Sequence, residues 1–348
     1  MKIIRLILFF PLSLVYDLIS SLRNTLFDLR IIPSVRHKIP VISIGNLSMG
    51  GTGKTPMTEY IARLLYDDAK KVAILSRGYK RKSKGFLLLN DLSDAEDAGD
   101  EALQYFKRSY CKIVAVCESR NIGVVKLLEH YPDIDVILLD DAFQHRYLKP
   151  SLSLLLTDFN RPFFSDFIFP SGNLRESSRF AQRADIIIVS KCPENINEDI
   201  KERMYYKLKI NNEQSLFFAA FEYRKPCHFI DKTTLELSEK YSVLLFTGIA
   251  NPQTIEHYLS SRVGHLQTIR FKDHHDYSEK DIERIISVFE KTEHQHKILI
   301  STEKDGSRLM NGKFRHVLVK LPLYLLPVEL VILFDQKNEF NEKIKSLC

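Results

Sequence analysis

The sequence predicts an α/β fold in which a parallel β-sheet is covered by helices on both faces. Short and almost continuously apolar segments alternate along the chain with helical segments. Apolar runs of this kind are typical of strands that are buried on both faces of a parallel sheet. The first such strand continues into a glycine-rich loop and then a helix, which is the local arrangement of a phosphate-binding site.

The first element is an apolar segment at the amino terminus. Lys2 and Arg5 precede an apolar run over residues 6–16 that contains Pro11. This run is shorter than the roughly 20 residues needed to span a bilayer. We expect residues 1–30 to form an amphipathic helix in the membrane interface, with cations facing anionic headgroups. A buried core helix and a signal peptide are alternatives, although no small-residue cleavage site follows the run.

The second element is a strand over residues 41–44 that leads into the glycine-rich loop. Glycines let the backbone approach phosphate oxygens, and the loop N–H groups with the next helix N-terminus form an anion site. We expect Lys54 to contact the β- and γ-phosphates of ATP or GTP and Thr55 to contact Mg²⁺. The first motif position is Ser48 instead of the usual glycine. The expected nucleotide-binding residues are Ser48, Met49, Gly50, Gly51, Thr52, Gly53, Lys54 and Thr55.

Four further apolar segments, 71–75, 112–117, 135–139 and 185–190, extend the predicted sheet into a P-loop NTPase-like domain. Asp140 and Asp141 follow the third of these segments. Ligands of open α/β sheets lie at the carboxyl ends of the strands, so we expect these carboxylates to hold Mg²⁺. The alternative is a strand that simply ends in two solvated acids.

The pattern changes after residue 214. Residues 217–230 alternate loosely and contain Pro226, which favours a hairpin-like connector over a core strand. A second α/β pattern begins at 243–248, continues at 297–301, and ends with 317–321 and 330–334. The predicted organisation is a helical segment (1–30), a phosphate-binding core domain (31–216), a β linker (217–235) and a smaller C-terminal α/β domain (236–348).

Composition limits the partners of the protein. A chain of 348 residues with 45% apolar residues suits two globular domains. The net charge of +6 suits an anionic partner, but no lysine or arginine tract indicates nucleic acid. The five cysteines are scattered without a C-x-x-C pair, which favours a reducing compartment and no zinc site.

Two polar segments remain ambiguous when they are interpreted from residue type alone. Asp100 follows Gly99 and opens a helical segment, so it suits either a helix N-cap or a general base for a sugar hydroxyl. The segment from Asp273 through His274 to Tyr277 suits a metal site, a partner for a base, or an exposed turn.

Eight motifs, in order along the chain, resemble those of the tetraacyldisaccharide 4′-kinase family of the lipid A pathway. They are residues 45–56, 76–79, 99–101, 140–145, 172–176, 248–252, 273–275 and 302–305. The amphipathic amino terminus is similar too. The sequence departs from the usual family pattern at Ala142, Lys272 and 164–166, and none of these is an expected catalytic position.

The resemblance implies transfer of the γ-phosphoryl group of Mg·ATP to the 4′-hydroxyl of a lipid A disaccharide 1-phosphate. It implies that Asp100 is the catalytic base, that His274 orients it, and that Lys54 acts on the phosphates. It also implies a peripheral (monotopic) protein on the cytoplasmic face of the inner membrane, with that lipid surface as a partner.

Three of the candidate substrate contacts are arginines, namely Arg77, Arg120 and Arg175. We expect them to contact phosphate because guanidinium binds phosphate with two hydrogen bonds. Arg120 also suits a plain surface charge. The full set of expected substrate-binding residues is Asn46, Arg77, Tyr79, Arg120, Gln144, Arg175 and Glu176.

Two other functions fit part of the sequence. One is a membrane-associated switch ATPase, a class that often has a lysine immediately before the double glycine. Met49 occupies that position here, which counts against this function. A lipid-binding relative without activity is disfavoured because every candidate catalytic group is present.

Overall fold

The computed structural model describes residues 2–108, 110–193, 196–249, 252–273, 275–310 and 314–348. The chain forms two compact units. The first comprises Met1–Ala98, Tyr105–Phe221 and Leu330–Cys348, and the second comprises Gly99–Gln104 and Glu222–Glu329. Both contain a mostly parallel sheet with flanking helices, which confirms the predicted α/β class.

The described residues form a nine-stranded sheet that makes up most of the first unit. Its strands are β1 (Val41–Asn46), β2 (Val72–Ser76), β3 (Leu87–Leu88), β4 (Ile113–Val116), β5 (Val136–Asp140), β6 (Leu152–Asp158), β7 (Ile186–Ser190), β8 (Ser215–Tyr223) and β14 (Val328–Ile332). Their spatial order is β14-β8-β7-β6-β1-β5-β2-β4-β3. Strand β1 lies between β5 and β6 and is parallel to both. The carboxyl ends of these three strands therefore meet at one edge of the sheet.

The helices of the first unit cover both faces of this sheet. They are α1 (Lys2–Asp28), α2 (Lys54–Asp67), α3 (Ala95–Ala98), α5 (Arg120–His130), α6 (Glu198–Leu208) and α11 (Lys337–Lys345), while α4 (Asp100–Phe106) begins in the second unit. On one face, Ile137 and Leu139 of β5 pack with Val124 and Leu127 of α5. Strands β1, β2, β4 and β5 are buried along their whole length, which explains their continuous apolar sequences.

Helix α1 confirms the predicted amino-terminal helix. Asn24 and Phe27 are buried on one side, while Leu14 and Leu18 are exposed on the other. Because one side of the helix carries exposed large apolar side chains, α1 is not a buried core helix. Within the described ranges, we find no helix with both the length and the apolar character needed to cross a bilayer.

The second unit contains a five-stranded sheet in the part of the chain that is described. Its strands are β9 (Cys227–His228), β10 (Ser242–Thr247), β11 (His265–Arg270), β12 (Lys297–Thr302) and β13 (Leu323–Leu326), in the spatial order β11-β10-β12-β13-β9. All neighbours are parallel except β13 and β9. The helices are α7 (Gln253–Ser260), α8 (Glu279–Lys291), α9 (Glu303–Met310) and α10 (Arg315–Leu318). Apolar residues of α8, including Ile285 and Phe289, pack on Leu244 and Leu299 of the sheet.

Two of the predicted segments differ from the structure. The expected hairpin-like connector is instead the start of a core strand, since β8 pairs in parallel with β7 and buries Phe217 and Phe218. Pro226 lies beyond the end of β8, where it leaves the strand hydrogen bonds intact. Residues 317–321 are not a strand, because α10 and a turn occupy this region and the strand follows as β13.

The end of the chain also differs from the predicted domain assignment. The predicted C-terminal domain spans 236–348, yet β14 joins the large sheet and residues 330–348 belong to the first unit. The physical reason is Phe340 of α11, which is fully buried against the rings of Tyr60 and Phe217.

Candidate active site

The glycine-rich loop joins β1 to α2 with a backbone that suits anion binding. Gly50 and Gly53 have φ values of 117° and 83°, a region that favours glycine. At Gly53 a Cβ would also lie 2.8 Å from the ring of Phe221. Helix α2 then begins at Lys54, with Thr55 in its first turn. The N–H groups of a first helical turn have no partner within the helix and point toward an approaching anion.

Asn46 holds the shape of this loop. Its side chain is buried, and Nδ2 donates to Oγ1 of Thr52 at 2.8 Å and to the carbonyl of Gly50 at 3.3 Å. Its own carbonyl accepts from Nε2 of Gln144 at 2.8 Å. Ser190 donates to the carbonyl of Thr52 at 2.8 Å. Hydrogen bonds from Asn46 at the end of β1 and Ser190 at the end of β7 therefore hold the loop in place.

Asp141 lies among cations at the carboxyl end of β5. Its Oδ1 accepts from Nη1 of Arg175 at 2.8 Å and lies 3.7 Å from Nζ of Lys54. Burial by itself would raise the pKa of Asp141, but the charges of Lys54 and then Arg175 outweigh it and hold the pKa below its ordinary value. Asp141 is therefore ionised at neutral pH.

Arg120 is buried beneath the same edge, so it is not a surface charge. Its Nη1 donates to the carbonyl of Cys117 at 2.7 Å, and Nη2 donates to the carbonyl of Asp140 at 3.1 Å. Burial lowers the pKa of Arg120 to about 10, although Asp140 and Asp141 act against this shift. The guanidinium remains charged at neutral pH and joins the ends of β4 and β5.

The loop over residues 172–176 is joined to the glycine-rich loop by backbone hydrogen bonds. Met49 N donates to the carbonyl of Asn173, and Arg175 N donates to the carbonyl of Leu47, both at 2.7 Å. These bonds position the side chain of Arg175 beside Asp141. The glycine-rich loop and the 172–176 loop are therefore held together by backbone hydrogen bonds.

Glu176 anchors this second loop from inside the protein. Its buried carboxylate accepts from Nδ2 of Asn24 at 2.7 Å, Nη2 of Arg183 at 2.8 Å and Nε2 of Gln144 at 3.1 Å. Asn24 and Arg183 are not among the site residues predicted from the sequence. No local pattern marks them, because Asn24 lies in α1, far from Glu176 along the chain.

Arg77 and Tyr79 follow β2 and are both exposed. The pKa of the nearby His145 is lowered to about 4 by burial and then by the positive charges of Arg120, Arg23 and Arg77. Three arginines therefore place positive charge around His145.

Asp100 belongs to the second unit and is the first residue of α4. Nε and Nη2 of Arg308 donate to its Oδ2 at 2.8 and 2.7 Å. Arg308 is not among the site residues predicted from the sequence, where its one local signal is its position three residues after Asp305 in α9. His274 lies outside the described residues. Its neighbour His275 contacts Oδ2 of Asp281 through Nε2 at 3.0 Å.

The donor set at the ends of β1 and β5 fits Mg²⁺. Asp140 and Asp141 are adjacent carboxylates, Thr55 offers a hydroxyl, and Ser76 Oγ lies 3.5 Å from Oδ2 of Asp140. Mg²⁺ usually takes one or two carboxylates together with phosphate oxygens and water. Over the described ranges, no group of three or more His, Cys, Asp or Glu side chains is arranged to hold a metal.

Comparisons with known proteins agree on one family. The family model described as tetraacyldisaccharide-1-P 4′-kinase matches residues 5–348. The chain is 42% identical to the tetraacyldisaccharide 4′-kinase of Bacteroides thetaiotaomicron, over 96% of this chain and 91% of the relative. It is 41% identical to the enzyme of that name from Flavobacterium johnsoniae, over 97% and 96%. A crystal structure of LpxK from Aquifex aeolicus in complex with ATP aligns with a TM-score of 0.75 and 28% identity, covering 97% of this chain and 98% of that one.

Proposed function

The chain belongs to the tetraacyldisaccharide-1-P 4′-kinase family, and from this membership we propose how its residues carry out the reaction. The activity is ATP-dependent phosphorylation of the 4′-hydroxyl of tetraacyldisaccharide 1-phosphate in lipid A biosynthesis. The observation that carries the residue assignment is the meeting of Lys54, Asp141 and Arg175 beside the glycine-rich loop.

The loop amides and Lys54 bind the β- and γ-phosphates of ATP. Phosphoryl transfer needs positioned positive charge, because negative charge on the transferring group must be stabilised in the transition state. Lys54 is mostly buried and already paired with the ionised Asp141, so its ammonium group is positioned before nucleotide binds.

Asp140, Asp141 and Thr55 would hold Mg²⁺ by virtue of their oxygen donors. When bound, the metal neutralises charge on the phosphate oxygens. Asp141 also fixes Lys54 and Arg175, and this ion-pair network supports a second role in orienting both cations toward the phosphates.

Asp100 accepts the proton of the sugar 4′-hydroxyl as that oxygen attacks the γ-phosphorus. A hydroxyl is a poor nucleophile until a carboxylate takes its proton in the transition state. His274 orients Asp100 in this proposal, as the resemblance of the 273–275 motif implies.

The predicted substrate residues divide into two groups by burial. Arg77 and Tyr79 are exposed, which supports contact with the 1-phosphate and headgroup of the lipid substrate. Arg120 and Glu176 are buried and hydrogen-bonded inside the protein, which supports a role in holding the site together. Asn46 is buried as well, while Gln144 and Arg175 are half-buried.

We further propose that the protein lies on the cytoplasmic face of the inner membrane through α1. One side of this helix is fixed to the first unit, for example through Ser13 Oγ and Ser171 Oγ at 2.8 Å. The ring of Phe169 packs edge-on against Tyr16, and exposed Phe167 lies close by in the chain. The exposed apolar side chains of α1 are Leu8, Phe10, Leu12, Leu14, Val15, Leu18, Ile19 and Leu22. Such a face suits a lipid interface.

The test of this function is transfer of label from [γ-³²P]ATP to tetraacyldisaccharide 1-phosphate, followed by thin-layer chromatography. Lys54→Ala removes the cation from the transferring group and should lower kcat by about 10²-fold or more. The matched control is Lys112→Ala. It changes an exposed lysine just before the amino end of β4 and should retain wild-type turnover. Near wild-type turnover of Lys54→Ala would contradict the assignment of the phosphate loop.

A further inference from the structure

Asp305 is a fully buried carboxylate in the second unit. Oγ1 of Thr247 donates to it at 2.8 Å, Oγ1 of Thr302 at 2.7 Å, and the backbone N–H of Gly248 at 3.1 Å. Asp305 N is 3.1 Å from Oγ1 of Thr302, so the start of α9 has the spacing of a helix cap. Several hydrogen bonds are what keep a buried carboxylate stable in its charged form. We call Thr247, Gly248, Thr302 and Asp305 the Asp305 cluster.

Arg308 connects this cluster to the expected catalytic base. Its Nη1 lies 3.4 Å from Oδ1 of Asp305, one turn earlier in α9. Its Nε and Nη2 donate to the same oxygen of Asp100 at 2.8 and 2.7 Å. The side chain of Arg308 is only 10% exposed, so both ion pairs are sheltered from solvent.

Asp273 and His275, the described neighbours of position 274, lie against α9 and the Asp305 cluster respectively. Nζ of Lys304 in α9 lies 3.6 Å from Oδ1 of Asp273. A Cβ at Gly248 would lie 3.1 Å from the Cβ of His275, so His275 packs closely on the cluster. Helix α9 therefore contacts Asp100 through Arg308 and Asp273 through Lys304.

We propose that Arg308 is a positioning residue of the kinase reaction: it fixes the carboxylate of Asp100, and the Asp305 cluster fixes Arg308. This inference rests on the proposed role of Asp100 as the base. Two N–H groups of one rigid guanidinium restrict the rotation of the carboxylate more than a single contact would. A proton acceptor must point at its hydroxyl in the transition state, and a small misplacement can cost about 10²-fold in rate.

The geometry requires an arginine and not merely a positive charge. Arg308 uses three nitrogens to reach two carboxylates at once. A lysine carries one ammonium group on a flexible stem and cannot reproduce this planar arrangement. Arg308→Lys therefore keeps the charge but should lose part of the orientation.

The test compares Arg308→Met and Arg308→Lys with a matched control in the same unit. Arg270→Met is the control, because Arg270 forms a two-bond ion pair with Glu256 at 2.7 and 2.6 Å on the exposed surface. We expect Arg308→Met to lower kcat by up to about 10²-fold without a change in KM for ATP. Arg308→Lys should be intermediate, and Arg270→Met should match the wild type.

A coupling measurement separates positioning from general damage. If Arg308 acts through Asp100, adding Arg308→Met to Asp100→Asn should cause little further loss of kcat. Wild-type kcat in both Arg308→Lys and Arg308→Met would overturn the inference. So would an equal loss of kcat when Arg308→Met is added to the wild type and to Asp100→Asn. If Arg308→Met does not fold, reduced kcat in a folded Arg308→Lys still supports it and wild-type kcat overturns it. Wild-type kcat in Asp100→Asn would instead refute the proposed base.

Discussion

At the residue scale, charge is concentrated where β1 and β5 end. Lys54, Asp141 and Arg175 form one ion-pair group. The buried Arg120 donates to backbone carbonyls nearby, including that of Asp140. Charges that are sheltered from water interact more strongly than exposed pairs, and they need little rearrangement during the reaction. Under the proposed function, this sheltered group of charges binds the phosphates of ATP.

His145 gives this site a dependence of stability on pH. Burial and the nearby arginines lower its pKa to about 4. Its Nε2 lies 3.3 Å from the backbone nitrogen of Arg120, where a neutral ring accepts a hydrogen bond. The unfolded chain has a histidine pKa of about 6.5 and so binds more protons between these values. The stability present above pH 6.5 should therefore decrease as the pH falls toward 4.

Thermal unfolding between pH 4 and pH 7 measures this effect. The wild-type Tm should decrease more steeply on acidification than the Tm of His145→Gln, which cannot take up the proton. His265→Gln changes an exposed histidine and serves as the control. Equal slopes for the wild type and His145→Gln would contradict the account of His145.

At the element scale, α1 combines a fixed side with an exposed apolar side. Arg5 donates to the carbonyls of Pro170 and Gly172, and Asn24 reaches the buried Glu176. The helix is thereby connected to the loop that also carries Arg175. If α1 binds the membrane as proposed, the membrane anchor and the proposed phosphate site share this support, and the enzyme would meet its lipid substrate at the membrane surface.

Changing the exposed side of α1 tests the membrane proposal. Leu14→Asp with Leu18→Asp adds charge to two exposed positions, so the fold should survive while the protein moves from the membrane pellet to the supernatant. Leu92→Asp is the control, since Leu92 is exposed elsewhere in the first unit and should not affect sedimentation. Unchanged sedimentation of the double variant would count against the interfacial helix.

At the scale of the whole molecule, local patterns predicted the strand, loop and helix over residues 41–67 better than they predicted the path of the chain. The glycine-rich loop and the acids after β5 are visible in the sequence, because each is a short segment with its own turn chemistry and burial. The return of β14 and α11 to the first unit is not visible, since it depends on how Phe340 packs against distant residues. Arg308 and Asp100 are likewise 208 positions apart.

The most direct test of the account is kcat for Asp100→Asn, His274→Ala and the double variant across a range of Mg²⁺ concentrations. Asp100→Asn retains size but cannot accept a proton, so kcat should decrease far more than ATP affinity changes. If the two residues act as one unit, the double variant should be little worse than the poorer single variant. Fully multiplicative losses, or recovery of Asp100→Asn at high Mg²⁺, would contradict the account.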